Sequence, residues 1–241
     1  MRTLVAGDIH GAYKALVQVL EKVQIQKEDL LIFLGDYADG WSETPKVIEL
    51  LIELKKTHNC LFIKGNHDDL CQNFLLGKPM ETAWYIHGGG ATEKAYSVID
   101  QATKNLHLDF LSSLENYYLD DKNRLFVHAG FTNLRGVEYE YFPEMFFWDR
   151  TLWELALSTP KNSAKTDIFF PKRLGIYNEI FIGHTPTTRY NNFMPMHAHG
   201  IWNVDTGAAF KGSITILDVD SKKFWQSDPV HTLYPDENGR N

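Results

Sequence analysis

The chain has few cysteines, no cluster of basic residues and no long apolar run, and each shortage excludes a class of protein. Only Cys60 and Cys71 occur among 241 residues, which excludes a disulfide-stabilised scaffold and favours two free thiols. The formal net charge is −7, and without clustered Lys or Arg we expect no nucleic-acid-binding surface. No apolar stretch reaches the roughly 18 residues of a membrane span. Since Asp8 and His10 interrupt any apolar leader, we expect a cytoplasmic protein with no membrane partner.

The residues that are abundant predict an α/β protein. Hydrophobic residues make up 44% of the chain and aromatic residues 13%, which is ordinary for a soluble globular protein. We expect one domain over residues 1–241, with a mobile tail at residues 228–241. The opening residues alternate short apolar runs with helical periodicity, which predicts the order β-α-β-α-β. The remaining predicted helices span residues 68–76, 91–99, 104–115 and 144–157, and the later strands span residues 124–127, 180–182, 201–204, 214–219 and 224–225.

Polar residues follow three short apolar runs at the point where each predicted strand ends. The sequences are GDIHG at residues 7–11, GDYADG at residues 35–40 and GNHD at residues 65–68. His128 and His184 likewise follow later predicted strands. Because ligands of open α/β sheets bind at the carboxyl ends of the strands, we expect these side chains to converge. Their mixed oxygen and nitrogen atoms suit Mn, Fe or Zn, so the pattern predicts a site for more than one metal ion.

Two further motifs follow these three: FVHAG around His128 and GHT at residues 183–185. The five motifs together resemble the phosphoprotein phosphatase family of calcineurin-like metallophosphoesterases, of the bacterial serine/threonine phosphatase type. The motifs follow the family's order and span most of the chain. The resemblance implies a fold of two packed mixed β-sheets flanked by helices. It also implies two metal ions at the strand ends, with Mn expected and Fe or Zn as alternatives.

The resemblance assigns the metal ligands residue by residue. Asp36 would bridge the two ions, because cations about 3.5 to 4 Å apart repel each other and a shared carboxylate offsets that repulsion. A bridging hydroxide would then attack phosphorus in line. The first ion is assigned to Asp8, His10 and Asp36, and the second to Asp36, Asn66, His128 and His184.

Three further residues are assigned catalytic roles by the same resemblance. His67 would protonate the leaving group, and Asp39 would orient its ring, since a carboxylate partner raises the basicity of imidazole. Asp39 is otherwise a turn residue before a glycine. Arg150 would bind the phosphoryl group with its fork of donors. The alternative for Arg150 is a surface ion pair with Asp149 or Glu154.

The second motif departs from the family, which commonly has GDxVDRG with a second phosphate-binding Arg. This chain has Gly40 and Trp41 where that Arg and Gly would stand. Arg135 and Arg189 are candidates to replace the missing cation, although each is also consistent with a solvated surface charge. Trp41 is interpreted as a packed core residue or as an aromatic wall for substrate.

Two loops near the motifs have open interpretations. The glycines after His87 are consistent with an anion-binding helix entry or with a turn that needs a permissive backbone. Asp205 follows a predicted strand and is expected to orient a ligand histidine through the free ring nitrogen. His197 and His199 are expected in a surface loop.

The expected function is hydrolysis of phosphomonoesters, with phosphoserine or phosphothreonine in proteins as the substrate that the resemblance implies. One alternative is a diadenosine tetraphosphatase or another nucleotide or small-molecule phosphoesterase. Another is an inactive scaffold that binds metal without substrate. The expected partner is accordingly a phosphorylated protein or a small phosphoester, and the oligomeric state is left open.

Overall fold

The computed structural model describes residues 1–240, in which two five-stranded mixed β-sheets pack together between helices. The strands are β1 (Thr3–Ala6), β2 (Leu30–Phe33), β3 (Asn59–Phe62), β4 (Tyr117–Leu119), β5 (Arg124–Val127), β6 (Glu179–Ile182), β7 (Met196–Ala198), β8 (Ile201–Asn203), β9 (Thr215–Asp218) and β10 (Phe224–Gln226). The first sheet has the order β10-β9-β1-β2-β3 and the second β4-β5-β6-β8-β7. The α/β class and the two-sheet architecture are therefore confirmed.

Helices cover both outer faces of this pair of sheets. The α-helices are α1 (Tyr13–Val23), α2 (Thr44–Thr57), α3 (Asn66–Leu75), α4 (Thr82–Trp84), α5 (Gly90–Tyr96), α6 (Gln101–Ser112), α7 (Met145–Trp148), α8 (Thr151–Ser158), α9 (Lys172–Gly175) and α10 (Val230–Leu233). A π-helical turn lies at Tyr85–Gly89, and 3₁₀ turns lie at Val137–Tyr139 and Thr187–Tyr190. The longest helix, α2, has 14 residues, and no helix within residues 1–240 is long and apolar enough to cross a membrane.

Side-chain alternation along the strands creates three apolar layers. Val5 and Ile32 of the first sheet meet Phe126 and Phe181 of the second sheet in the central layer. The two phenylalanine rings stack with their centroids 4.9 Å apart. Neighbouring residues on the same strands face outward, where the first sheet packs against α1 and α2 and the second sheet against α7 and α8.

The parallel strands position the site. Strands β1, β2 and β3 run parallel in the first sheet, and β5, β6 and β8 run parallel in the second. The loops that leave these strands carry the polar motifs. The predicted ligands therefore have a common edge of the structure on which to meet.

Several predicted boundaries differ from the observed ones. The helix predicted over residues 144–157 is two helices, α7 and α8, because the Asp149 carboxylate accepts the N–H groups of Thr151 and Leu152 and caps the second one. The edge strands β4 and β7, of three residues each, were not predicted. His197 consequently lies in a strand, while His199 lies in the turn that follows it.

The segment expected to be a mobile tail packs on the first sheet's helices within residues 228–240. Val230 of α10 is fully buried, and Tyr234 is buried against Trp41 at a centroid distance of 5.2 Å. Trp41 itself is fully buried and donates its indole N–H to the carbonyl oxygen of Ala208. Of the two interpretations of Trp41, the packed core residue is the one observed.

Candidate metal centre

The six predicted metal ligands converge at the carboxyl ends of the strands, and all six are buried. Tight turns after the strands direct the side chains inward, and several require left-handed backbone. His10, Asp36 and His184 have φ values of 52°, 55° and 67°. Such conformations are uncommon for residues other than glycine and cluster at functional sites.

The first group of ligand atoms surrounds the ring nitrogen Nε2 of His10. This atom lies 3.6 Å from Asp8 Oδ2 and 3.5 Å from Asp36 Oδ2. A ring nitrogen of His67 also lies within 4.8 Å of ligand atoms of His10 and Asp36. His67 therefore faces the same space as the first group, although the sequence assigned it a different role.

The second group uses the other oxygen of Asp36. His128 Nε2 lies 3.4 Å from Asp36 Oδ1 and 3.3 Å from Asn66 Oδ1. His184 Nδ1 lies 2.9 Å from the same Asn66 oxygen. The two oxygens of Asp36 are thus divided between the groups, which is the geometry that a bridging carboxylate needs.

Backbone carbonyl groups orient two of the histidine rings. His10 Nδ1 donates to the carbonyl oxygen of Ala38 at 3.2 Å, and His128 Nδ1 donates to that of Leu34 at 2.8 Å. Because Nδ1 donates to the backbone in each ring, Nε2 faces the site, and in the neutral ring Nε2 carries the lone pair that a metal ion would bind. Asp205, expected to take this orienting role, accepts instead from the backbone N–H of Gly207.

The charges at the site favour a bound cation. Burial, together with the nearby charge of Asp36, raises the pKa of Asp8 to about 7. Burial lowers the pKa of His128, but the carboxylates of Asp36 and Asp8 outweigh it and raise that pKa to about 9. Burial also raises the pKa of Asp205 to about 8. Carboxylates crowded in this way gain a partner when a cation binds, so the residues fit a metal centre of mixed oxygen and nitrogen ligands.

Asp39 is fully buried, and both of its carboxylate oxygens accept hydrogen bonds. Its Oδ2 atom accepts from His67 Nδ1 at 2.7 Å and from the indole N–H of Trp84 at 2.8 Å. Its Oδ1 atom accepts from the hydroxyl group of Thr92 at 2.7 Å. The turn-residue alternative does not account for this network, which holds the His67 ring by one nitrogen.

The glycines after His87 leave the space in which the Trp84 ring of this network packs. A Cβ atom built on Gly89 would lie 2.1 Å from the Trp84 ring, so only glycine lets the indole pack there. Gly88 has a φ of 106°, and its carbonyl oxygen accepts from the N–H of Gly40. The structure favours the interpretation in which a turn needs a permissive backbone.

Asp68, which the sequence analysis did not single out, ties two motifs together. Its Oδ2 atom accepts from the backbone N–H groups of Asp36 at 2.7 Å and Gly65 at 2.8 Å, and Oδ1 accepts from that of Tyr37 at 2.8 Å. The signal that could have identified it is the fourth residue of GNHD, three residues after the helix-capping Gly65.

Cationic side chains line a cavity of about 670 Å³ above the ligands. Arg150 reaches it and donates to Thr185 Oγ1 at 3.1 Å, rather than pairing with Asp149 or Glu154. Arg189 also lines the cavity. Arg135 instead lies over the ring of Tyr139 at 3.7 Å and is not among the residues lining the cavity. The sequence analysis missed Arg240, which joins the cavity from a distant part of the chain.

Comparison with known proteins gives a consistent family signal. A family model described as calcineurin-like phosphoesterase matches residues 1–204. A bis(5'-nucleosyl)-tetraphosphatase PrpE (asymmetrical) from Anoxybacillus flavithermus is 26% identical over 235 residues, covering 88% of each chain. The protein of the same name from Oceanobacillus iheyensis is 25% identical over 240 residues, covering 93% of this chain and 91% of the relative.

Solved structures share the fold at lower identity. A serine/threonine phosphatase from Saccharomyces cerevisiae superposes with a TM-score of 0.65 at 14% identity, covering 95% of this chain and 80% of that one. A cold-active protein tyrosine phosphatase mutant gives a TM-score of 0.61 at 14% identity, covering 94% and 80%. These similarities extend over both sheets and support the architecture described above.

Proposed function

Because the chain belongs to the calcineurin-like phosphoesterase family and is a hydrolase of phosphoric esters, we propose that its substrate is a dinucleoside polyphosphate such as diadenosine tetraphosphate. The observation that carries this proposal is the cavity of about 670 Å³ directly above Asp36, Asn66 and His184. Pockets between about 300 and 1,000 Å³ hold small molecules. A single phosphoryl group would leave most of this volume empty.

The lining of the cavity supports a ligand with both charge and aromatic rings. Arg150 and Arg189 supply guanidinium groups, which bind phosphate oxygens through paired donors. Burial lowers the pKa of Arg150, and the charge of Arg189 lowers it further, so positive charge is concentrated here in a chain of net charge −7. Trp148, 44% exposed, and Phe210 offer ring surface on which a base can stack.

The names of the relatives support the same substrate class. Relatives called bis(5'-nucleosyl)-tetraphosphatase PrpE match this chain at 22 to 26% identity, with coverage of about nine-tenths of both chains. The expectation of a phosphoprotein substrate came from motif resemblance. The structural likeness to a serine/threonine phosphatase, at 14% identity, reflects the shared fold alone. We therefore place the dinucleotide ahead of the phosphoprotein.

The proposed chemistry divides the site into a metal-binding part and a proton-donating part. Asp8, His10 and Asp36 would hold one metal ion, and Asp36, Asn66, His128 and His184 the other. Bound there, the ions would polarise a phosphoryl oxygen and lower the pKa of water, as divalent metals do in hydrolases.

The remaining roles belong to side chains of the cavity. We assign to His67 the role of donating a proton to the leaving phosphate oxygen. Its ring is held by a 2.7 Å hydrogen bond from Nδ1 to Asp39 Oδ2. Arg150 would bind the equatorial phosphoryl oxygens and stabilise the charge that develops on them. Hydrolysis of diadenosine tetraphosphate between the first and second phosphates would release ATP and AMP, consuming one water.

A substrate panel with added Mn²⁺ tests this function. Diadenosine tetraphosphate, a phosphoserine peptide and p-nitrophenyl phosphate are compared at equal concentration, and products are identified by ion-exchange chromatography. We expect conversion of the dinucleotide to ATP and AMP with a kcat/KM at least tenfold above the other two substrates, and no turnover by Asp36→Asn. Faster turnover of the peptide would overturn the proposed substrate. Absence of any turnover by metal-loaded protein would identify a metal-binding scaffold instead.

A further inference from the structure

The segment Tyr234–Arg240, hereafter the 234–240 segment, packs against and hydrogen-bonds to the residues that follow Gly40. Tyr234 stacks on the buried ring of Trp41. The carboxylate of Glu237 accepts from the backbone N–H of Ser42 at 3.0 Å and from its hydroxyl group at 2.7 Å. The two bonds of Glu237 cross 195 positions of sequence, so the segment has a defined place beside the second motif.

The last step of this segment needs a glycine. Gly239 has a φ of 59°, and a Cβ atom built there would lie 2.7 Å from both the Trp41 ring and the carbonyl oxygen of Ala209. The next residue donates its backbone N–H to that same oxygen at 2.9 Å. The backbone of Arg240 is therefore fixed over the cavity rather than free in solvent.

The side chain of Arg240 passes across two glycines. Its Cγ atom would lie 3.5 Å from a Cβ built on Gly40 and 3.1 Å from one built on Gly88. The backbone N–H of Gly40 donates to the carbonyl oxygen of Gly88 at 3.1 Å, so the two glycines lie side by side beneath the arginine. The arginine occupies the space directly above residue 40, which has no side chain of its own.

The guanidinium group has no protein anion to neutralise it. Arg240 lines the cavity together with Asp36 and His67, and its Nε atom is buried without a hydrogen-bond acceptor. Among residues 1–240, no carboxylate forms an ion pair with it. A buried donor without a partner is costly in a native protein, which indicates a ligand that accepts from it.

Arg240 and Arg150 line the same cavity, whose floor includes Asp36 and His184. Arg240 is therefore placed to act on the same bound anion as Arg150.

We propose that Arg240 binds a phosphate group of the substrate and supplies, from the 234–240 segment, the cation that the second motif lacks at Gly40. This inference rests on the proposed function, because it places Arg240 opposite Arg150 on a phosphate chain. The guanidinium would donate through Nε and one terminal nitrogen to two phosphate oxygens. A side chain at position 40 would be strained, since the backbone there is held at a φ of 98°.

Binding of inorganic tripolyphosphate to the Mn²⁺-loaded protein, with excess Mn²⁺ held constant and the ligand shown to be intact after each titration, tests the proposal separately from turnover of the dinucleotide. Isothermal titration compares wild type with Arg240→Gln, Arg240→Lys and the matched control Arg135→Ala, whose guanidinium lies over Tyr139 and does not line the cavity. We expect Arg240→Gln to weaken binding at least tenfold, Arg240→Lys to recover part of that loss, and Arg135→Ala to bind like wild type. Thermal unfolding midpoints without ligand should agree among all four proteins.

Two results would overturn the proposal. One is wild-type affinity in Arg240→Gln. The other is an equal loss in the Gln and Lys variants with a lowered unfolding midpoint, since the residue would then only hold the segment in place. For diadenosine tetraphosphate we expect kcat/KM of Arg240→Gln to fall at least tenfold. If wild type does not turn over this substrate, the proposed function fails, while the tripolyphosphate affinities still decide the role of Arg240.

Discussion

Trp84 donates its indole N–H to Asp39 Oδ2 at 2.8 Å, and this is the same oxygen that accepts from the ring of His67 at 2.7 Å. The two hydrogen bonds link Trp84, Asp39 and His67 in a series, and the His67 end of that series faces the predicted metal ligands. The carboxylate is fully buried, so its position depends on donors from the protein. Trp84 is therefore a positioning residue for the proposed proton donor.

Replacing the indole donor should slow the chemical step. In Trp84→Phe, Asp39 Oδ2 loses a hydrogen bond while the ring volume is largely kept, and outer-shell partners of this kind contribute about 10- to 100-fold. We expect kcat to fall about tenfold with little change in KM, measured by steady-state hydrolysis of the best substrate in the panel. Trp202→Phe, which removes an indole bond to Glu179 away from the site, serves as the control. Equal kinetics of the two variants would contradict this role.

Adjacent glycines allow a sharper test of the same network. A methyl group on Gly89 would meet the Trp84 ring at 2.1 Å, whereas one on Gly90 has only the carbonyl oxygen of Tyr85 at 3.6 Å. Both residues have negative φ values, so strain from the backbone does not distinguish them. We expect Gly89→Ala to lower kcat and the unfolding midpoint, because overpacking costs about 1 to 3 kcal/mol. Gly90→Ala should match wild type in activity and thermal unfolding.

Asp68 should support both stability and metal binding. Its carboxyl group accepts backbone N–H groups from the second motif and from Gly65, and each such hydrogen bond contributes about 0.5 to 1.5 kcal/mol net. We expect Asp68→Asn to lower the free energy of unfolding by about 2 kcal/mol and to weaken Mn²⁺ binding about tenfold. Urea unfolding and metal titration measure the two effects. Asp69→Asn is the neighbouring control, and unchanged Mn²⁺ affinity in Asp68→Asn would contradict the expectation.

An ion pair far from the site should give acid-dependent stability. Burial raises the pKa of Asp29, but hydrogen bonds from Arg2 and from backbone N–H groups hold it at about 2, below the unfolded value of about 3.9. The stabilisation is therefore present above about pH 4 and is lost as the pH falls towards 2. We expect Asp29→Asn to lower the free energy of unfolding by about 1 kcal/mol at pH 7, since the Arg2 partner is partly exposed and screened.

The pH dependence itself is the diagnostic measurement. Urea unfolding at pH 7, 5 and 3 should show the same difference between Asp29→Asn and wild type at the first two values and a smaller one at pH 3. Glu53→Gln removes an exposed ion pair with Lys56 and should show no measurable difference at any pH. A difference for Asp29→Asn that stays constant down to pH 3 would show that the ion pair is not its source.

The sequence predicted those parts of the molecule that depend on local pattern. An apolar run of three to five residues followed by glycine and a ligand identifies a strand end, and β1, β2 and β6 each follow this pattern. The same reasoning places all six predicted ligands in one site, because parallel strands end at a common edge. It missed β7, a three-residue edge strand with an exposed histidine at its centre.

The parts of the site that the sequence did not predict depend on contacts between positions far apart in the chain. Trp84 and Thr92 meet Asp39 across 45 and 53 residues, and no periodicity relates such positions. Arg240 reaches the cavity only because Tyr234 and Glu237 find partners near Gly40. The sequence could show that a cation was missing at the second motif, but its replacement depends on how the 234–240 segment packs.

The second ligand group has a consequence for how such a site persists through evolution. Asp36 and Asn66 follow strands of the first sheet, Asn66 as the first residue of α3, and His128 and His184 follow strands of the second. A cation held by all four would tie the sheets together, and the free energy of binding would add to that of folding. Selection for a stable fold alone would therefore retain these ligands, even in a descendant that had lost His67 or Arg150 and with them its catalytic activity.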